Sequence, residues 1–290
     1  VEYRKIITPQ EKENKRQQER ANYRTVKVNE LVDSRTDVSL DGTWLFMPEY
    51  QLNDKDKAIS VATDDKNWHV MSVPNFWNPI RIWLHGETMP SPTGPQPKGV
   101  SDTYYQQETV RCEGYTFDYR KTKAAWYRQW VELPANVEGK NMTLTFDAVS
   151  KVAEIYINGE LAGSHIGMFG EIQVDGSKLL KSGKNLVVVK VISKTDGSSS
   201  ESGSAAIDFF YSSVRESEKE DGKVSAKSNL LKDIAHGFYG DEPAGIWQPV
   251  KLTITSQLKV EDVFIKPSLD GATFDLTVKN HGTKKNQFNL

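Results

Sequence analysis

The sequence predicts an all-β protein built from antiparallel sandwiches, and three observations predict this class. Residues 126–133 alternate between two sets of side chains, the period-two pattern of a strand that favours one face for burial. Residues 153–157 repeat the alternation up to Asn158-Gly159, where both positions favour the positive φ of a tight hairpin turn. Residues 185–192 are rich in β-branched side chains, which is typical of a central strand.

The composition excludes several classes of function. A chain of 290 residues with 37% hydrophobic content can bury a sizeable core. Its net charge of -2 gives no electrostatic footprint for nucleic acid or for an anionic membrane. No apolar run of about 18 residues is present that could cross a bilayer. The single cysteine, Cys112, cannot form an internal disulfide, so stability must come from packing.

The N-terminal residues 1–36 are predicted to form a charged extension. Residues 9–24 carry many charges and almost no apolar face, which favours a solvated helix or tail without an assigned function. Strands are predicted from residue 38 onwards, where Asp41-Gly42 is a turn signal followed by β-favouring aromatic residues. A short strand at 68–73 then ends at a proline.

A long insertion follows this short strand. Residues 88–100 are rich in proline and glycine, which excludes helix and central strand and predicts a surface loop. The polar, tyrosine-rich residues 102–123 complete the insertion. Loops of this length are uncommon unless they are functional or disordered.

The regular strands resume after the insertion. Residues 142–148 alternate like 126–133, residues 161–166 return from the Asn158-Gly159 turn, and residues 247–254 form the last strand of the domain. A low-complexity break at 195–204 and a charged run at 215–223 predict solvated loops.

A second domain is predicted to begin near residue 258. A new alternating register starts at Lys259, and Asp270-Gly271 marks a hairpin turn. The residues that remain are too few for a sandwich, which needs about 100. We therefore predict a first domain over 37–257, an incomplete second sandwich over 258–290, and a longer parent protein.

The landmarks occur in an order that resembles one family. They are Leu40-Asp-Gly-Thr-Trp44, Trp126-Tyr-Arg128, Ile155-Tyr-Ile-Asn-Gly159, Gly163-Ser-His165 and Gly245-Ile-Trp-Gln-Pro-Val250. Each is weak alone, but the ordered set resembles the N-terminal sugar-binding domain of glycoside hydrolase family 2, the β-galactosidases, β-glucuronidases and β-mannosidases. The resemblance implies a galactose-binding-like jelly roll followed by part of an immunoglobulin-like β-sandwich.

The resemblance also implies an activity. In this family a third domain, a (β/α)₈ barrel with two glutamates, performs retaining hydrolysis of β-glycosides. The barrel is missing from this sequence, so we expect this chain to be an inactive, non-catalytic portion of a β-galactosidase-like exo-β-glycosidase. Two alternatives stay open, namely a stand-alone carbohydrate-binding module and a structural or interface sandwich. The implied partners are the non-reducing end of a β-glycoside and the barrel in cis, with a homo-oligomer left open.

Loops of the first domain reach over the barrel mouth in this family, and the corresponding segment here is 236–246. We expect His236, Tyr239, Asp241 and Glu242 to contact sugar, since carboxylates accept paired hydrogen bonds from vicinal hydroxyls and rings pack on pyranose C–H faces. Gly237 stands where β-glucuronidase-like members often carry an aspartate, which leaves the sugar open. The alternative is an exposed turn decorated with acids.

A second candidate for sugar contact is the aromatic loop after the 68–73 strand, which carries Trp77 and Asn78. The alternative interpretation, a buried aromatic plug that closes one end of the sandwich, is favoured. His165 and Phe169 match a family loop, and His165 is predicted to be structural. The five histidines have no zinc spacing and no calcium loop is present, so neither metal nor cofactor is predicted. The resemblance favours a periplasmic or extracellular location.

Overall fold

The computed structural model describes residues 8–32, 35–78, 112, 114–193 and 244–280, together with the backbone of two strands at 81–85 and 104–108. The predicted proline-rich, low-complexity and charged loops lie outside these residues. The strands, in chain order, are β1 (Val26–Lys27), β2 (Arg35–Ser39), β3 (Gly42–Pro48), β4 (His69–Val73), β5 (Arg81–His85), β6 (Tyr104–Glu108), β7 (Ala124–Leu133), β8 (Asn141–Phe146), β9 (Val149–Ser150), β10 (Val152–Ile157), β11 (Glu160–Ile166), β12 (Ile172–Asp175), β13 (Gly183–Ile192), β14 (Gly245–Ile246), β15 (Val250–Thr255), β16 (Leu258–Ser268) and β17 (Gly271–Asn280).

Two sheets form the sandwich. The larger has seven strands in the order β11-β10-β13-β7-β3-β4, with β1 added in parallel alongside β7. The smaller has four strands in the order β12-β8-β15-β2. β14 pairs with β9, β5 with β6, and β16 with β17 as separate two-stranded ladders. The all-β sandwich predicted from the sequence is confirmed, and β13 is central as predicted.

The main core lies between the two sheets. Alternate residues of each strand point inward, as facing sheets require. Its largest fully buried members include Trp44, Phe46, Tyr127, Leu144, Phe146 and Ile155. The Asn158-Gly159 hairpin between β10 and β11 is also confirmed, with φ of 53° at Asn158 and 93° at Gly159.

A second apolar cluster covers the outer face of the larger sheet. Its buried members are Leu45, Met47, Ala58, Trp68, Trp126, Leu186 and Val188. The prediction that one face of β7 is favoured for burial is therefore wrong, because nearly all side chains on both faces of this strand are buried. The reason is the connection between β3 and β4, which contributes residues to the outer cluster. They are Leu52, which follows a 3-10 turn (Glu49–Gln51), and Ala58 and Ile59 of helix α2 (Asp56–Ile59).

The N-terminal segment predicted as a solvated helix or tail is a helix, α1 (Pro9–Arg20). It begins with a capping box in which Thr8 and Glu11 satisfy each other's backbone N–H groups. None of its residues is buried. Charged groups hold it to the sandwich, since Arg16 Nη1 donates to the Lys66 carbonyl at 3.0 Å and Arg20 Nη2 to Asp65 Oδ1 at 2.8 Å.

Asp65 joins α1 to a buried cation on β7. The side chain of Arg128 is fully buried, with its guanidinium 5.0 Å from the centre of the Trp68 ring and 4.0 Å from Asp65 Oδ2. Trp130 Nε1 donates to the same carboxylate oxygen at 3.2 Å. Burial lowers the pKa of the Arg128 guanidinium, because a charge removed from water is disfavoured. The Asp65 carboxylate therefore offsets a buried charge while it anchors the helix.

β16 and β17 form a hairpin that is polar on one face and apolar on the other. The polar face carries the Lys266–Asp275 ion pair. The pairing register places Val260, Val263, Ile265, Pro267, Ala272, Phe274, Leu276 and Val278 on the other face. Ile265 is 52% exposed and Phe274 is 59% exposed. A lone two-stranded hairpin is at best marginally stable. Within the described ranges, this apolar face stays exposed rather than packed in a sandwich.

We expect Asp65→Ala to lower the free energy of unfolding by about 3 kcal/mol, because it leaves the buried Arg128 charge uncompensated and frees Arg20. Urea denaturation followed by tryptophan fluorescence measures the change. Asp64→Ala is the matched control, since the Asp64 side chain is 68% exposed and its ion-pair partner Lys66 is 85% exposed. Its change should stay below about 1 kcal/mol. Equal effects of the two variants would contradict the role given to Asp65.

Candidate functional site

One end of the sandwich is closed by the residues that follow β4, named here the 75–78 segment (Asn75 to Asn78). This segment runs beside β14. Asn75 N donates to the Ile246 carbonyl at 2.8 Å, and Trp77 N donates to the Ala244 carbonyl at 2.9 Å. Because β14 also pairs with β9, the segment is tied through β14 to the rest of the closed end.

Trp77 and Asn78, the two predicted contact residues of this segment, are placed differently. The Trp77 side chain is fully buried, and its Nε1 donates to the Thr122 carbonyl at 3.2 Å. Its ring packs against Phe46 and Tyr127 of the main core. This is the arrangement of the buried aromatic plug. Asn78 is only half-buried, and its Oδ1 accepts a hydrogen bond from Ala244 N at 2.8 Å.

The Asn78 bond holds the C-terminal part of the predicted sugar-contacting segment 236–246. Ala244 is the first described residue of this segment, two positions beyond Glu242. His236, Tyr239, Asp241 and Glu242 lie outside the described residues. Hydrogen bonds with Asn78 and the rest of the 75–78 segment therefore attach the last residues of the 236–246 segment, Ala244 to Ile246, to the closed end.

Gly245 permits the close approach of these two segments. Its φ is 143°, a conformation that side chains rarely adopt, and an added Cβ would lie 2.4 Å from the Asn75 carbonyl oxygen. The same Cβ would lie 3.2 Å from the Tyr127 hydroxyl. Both the backbone angle and the space demand glycine at this position.

The closed end also carries an aromatic trio, Phe76, Phe169 and Trp247. Contacts among these three residues were not predicted from the sequence. Phe76 stacks on Trp247 with centroids 5.7 Å apart and planes inclined by 16°. Phe169 meets Trp247 edge-on at 5.9 Å and is 56% exposed. Trp247 Nε1 donates to the Met168 carbonyl at 2.9 Å, which fixes the indole ring. Such fixed rings suit the C–H face of a pyranose.

The end of the predicted insertion braces the same region. The Tyr115 hydroxyl donates to the Phe76 carbonyl at 2.8 Å, and the Tyr115 ring stacks on Phe117 with centroids 5.0 Å apart. Burial raises the pKa of the Tyr115 hydroxyl, so it stays protonated and continues to donate at physiological pH. Cys112, also from the insertion, is buried.

Two of the histidines have described surroundings. His69 Nδ1 lies 2.7 Å from Thr116 Oγ1 and its Nε2 lies 2.8 Å from Gln51 Oε1, and burial lowers its pKa to about 4. Burial also lowers the pKa of His165. Within the described ranges, no group of three or more His, Cys, Asp or Glu side chains could hold a metal ion. None of the helices described there is long and apolar enough to cross a membrane.

Comparison with known proteins confirms the resemblance to glycoside hydrolase family 2. Residues 98–226 match the family described as "Glycosyl hydrolase 2 galactose-binding domain-like". A provisionally named β-glucuronidase of Formosa agariphila is 28% identical over 168 residues, which are 58% of this chain. A β-galactosidase of Thermoanaerobacter pseudethanolicus is 29% identical over 153 residues, which are 52% of this chain. The match spans 16% of the length of each relative.

Solved structures show the same fold. A β-glucuronidase from glycoside hydrolase family 2 aligns over 89% of this chain and 23% of its own, with a TM-score of 0.53 and 18% identity. A β-glucuronidase of an uncultured Clostridium aligns over 87% of this chain and 36% of its own, with a TM-score of 0.50 and 15% identity. The galactose-binding-like sandwich predicted from the sequence is thus confirmed.

We expect Gly245→Ala to destabilise the fold by about 3 kcal/mol, because the new Cβ meets a backbone oxygen that cannot move aside freely. Gly170→Ala is the matched control, since Gly170 has a φ of 113° but nothing within 4 Å of its added Cβ. The control reports backbone strain alone, about 1 kcal/mol. Thermal unfolding of both variants measures the difference. The close approach would be contradicted if the two variants unfolded at the same temperature.

We expect a pH dependence that comes from His69. Its pKa is about 4 in the folded chain, below the unfolded value of about 6.5, so the unfolded state binds the proton more readily. The stability contributed by neutral His69 is complete above pH ~6.5 and falls between pH ~6.5 and pH ~4, by about 3 kcal/mol in total.

Urea unfolding at several pH values tests this dependence. His69→Gln should flatten the fall in stability across the acidic range, whereas His165→Gln, at a less buried position, should leave most of it. Curves for wild type and His69→Gln that run parallel would contradict the assignment.

Proposed function

We propose that this chain, a relative of the N-terminal region of glycoside hydrolase family 2 enzymes, is the non-catalytic portion of a retaining exo-β-glycosidase. Hydrolysis would be performed by a barrel elsewhere in the same protein. One observation carries the proposal. The relatives are named β-glucuronidase and β-galactosidase, and this chain matches only 16% of the length of each, in a region that includes the galactose-binding-like domain.

In this proposal the closed end of the sandwich positions sugar. The loop that carries His236, Tyr239, Asp241 and Glu242 would reach the non-reducing end of a β-glycoside. Asn78 would contribute by holding Ala244, two positions beyond Glu242. Trp77 would act from the core, as the support of the 75–78 segment, because its ring is fully buried.

The chemistry of the loop suits this role. Carboxylates such as Asp241 and Glu242 can accept two hydrogen bonds from neighbouring hydroxyls, and these charge-assisted bonds are among the stronger ones. Binding of this kind orients the sugar for attack by groups on another domain, which is how positioning contributes to rate. The two carboxyl groups that retaining hydrolysis requires, about 5–5.5 Å apart, would come from the barrel.

The hairpin formed by β16 and β17 supports the proposed domain order. We assign residues 258–290 to the start of an immunoglobulin-like sandwich. The apolar face of this hairpin, which includes Ile265 and Phe274, would be covered by the further strands of that domain. This domain would connect the sandwich to the barrel in cis.

Activity assays on two proteins test the proposal. The protein expressed from the complete reading frame should release p-nitrophenol from a β-galactoside, β-glucuronide or β-mannoside with retention of configuration. The 290-residue chain alone should release none. In the complete protein, Asp241→Asn and Glu242→Gln should raise KM about tenfold, as expected when one charge-assisted hydrogen bond is lost.

Ser256→Ala serves as the control variant, since its hydroxyl donates to the nearby Leu258 carbonyl, close to the proposed domain boundary. Its kinetic constants should match those of the wild type. A reading frame without a barrel, or hydrolysis by the 290-residue chain, would overturn the proposal. Unchanged KM in both acid variants would overturn the role of the loop alone.

A further inference from the structure

A polar cleft lies between α1 and the sandwich, at the first residue of β4. Its volume is about 560 Å³, within the range of small-molecule sites. The lining residues are Pro9, Lys12, Glu13, Arg16, Gln51, Asn67, His69 and Thr116. All of them belong to the described chain, and none is among the residues assigned to the proposed sugar-positioning loop. The cleft is thus a separate candidate site whose ligand must be inferred from its chemistry.

The floor of the cleft is a fixed, neutral hydrogen-bonding group. His69 is 6% exposed, and its ring bridges Gln51 and Thr116. Gln51 Oε1 can only accept, so Nε2 of His69 carries the proton and Nδ1 accepts from the Thr116 hydroxyl. This chain of bonds orients the oxygen of Thr116, which keeps lone pairs for a further hydroxyl donor. The floor therefore presents polar atoms without charge.

The wall contributed by α1 carries one unbalanced positive charge. Glu13 accepts a two-pronged hydrogen bond from Arg16, with Nε to Oε2 at 2.9 Å, so these two charges offset each other. Lys12 forms no ion pair with any residue in the described ranges. Lys12 is exposed, and the lining also includes the exposed Asn67, whose amide can both donate and accept.

We propose that this cleft binds a sugar acid, that is, a small hydroxyl-rich molecule with a single carboxylate. The amide and hydroxyl groups of the lining match ring hydroxyls, and the ammonium of Lys12 matches one carboxylate. A multiply charged phosphate would meet the Glu13 carboxylate as well as the cations. A nucleotide base would find no phenylalanine, tyrosine or tryptophan ring among the lining residues. The inference goes beyond the proposed function and does not rest on it.

Such a ligand would bridge α1 and the sandwich. The helix buries none of its own residues and is held to the sandwich by polar contacts of Lys15, Arg16 and Arg20. A carboxylate held by Lys12, with hydroxyls held by Asn67 and Thr116, would add a further attachment between the two layers. Binding should therefore raise the melting temperature as ligand concentration rises.

The test uses D-glucuronate and D-glucose, which differ in the carboxylate, with the 290-residue chain and no hydrolytic readout. Calorimetry should show glucuronate binding at least tenfold tighter than glucose. Addition of glucuronate should shift the ¹⁵N resonances of the His69 imidazole. Lys12→Ala should weaken glucuronate binding about tenfold, and Asn67→Ala should weaken both sugars. Lys178→Ala, an exposed lysine outside the cleft, is the matched control and should change neither affinity.

Several outcomes would overturn the proposal. The first is that glucuronate does not bind even at about 10 mM, the weak limit of specific recognition. The others are equal affinity for the two sugars, and equal effects of Lys12→Ala and Lys178→Ala. Displacement of glucuronate by an equal concentration of inorganic phosphate would reveal a general anion site instead. A failure here would leave the glycosidase assays unaffected, so the two proposals fail separately.

Discussion

The burial of β7 on both faces is the constraint on which the rest of the structure depends. This strand pairs with β13 along its whole length, from Ala124↔Ile192 to Leu133↔Gly183. Successive side chains of a strand point to opposite faces. Tyr127 consequently enters the main core, where it contacts Trp77, while its neighbour Arg128 enters the outer cluster beside Trp68. Tyr127 and Arg128, which are adjacent, therefore support the closed end on one face of β7 and the attachment of α1 on the other.

The two faces of β7 are stabilised by different physics. The inner face is apolar, and its aromatic residues gain from burial and edge-to-face contacts such as that of Phe46 with Tyr127. The outer face contains the buried Arg128 guanidinium, which is stabilised by Asp65, the Ser60 carbonyl and the Trp68 ring. The outer layer, including α1, therefore depends on charge pairing, and we expect it to open at lower free energy than the inner core.

Sequence reasoning predicted the strands well because period-two alternation and the Asn158-Gly159 turn are local signals. It did not predict that both faces of β7 are buried, because the cover comes from residues 49–68, which have no periodicity of their own. The same limit applies to the site. Phe76 and Trp247 stack although they lie far apart in the sequence, and no local sequence pattern predicts a contact between such distant residues. The partners of His69, Gln51 and Thr116, are distant for the same reason.

The insertion after β4 links the two ends of that strand. Phe117 meets the His69 ring edge-on at 5.5 Å, at the beginning of β4, and stacks on Tyr115. Tyr115 in turn bonds the Phe76 carbonyl, beyond the end of β4. Thr116, between these two aromatic residues, reaches the polar cleft instead. Because neighbouring residues of one short stretch brace the closed end and line the cleft, the C-terminal end of the insertion is attached to the fold at two places. A long loop attached in this way can present functional side chains from a rigid frame, which is the arrangement that precise recognition requires.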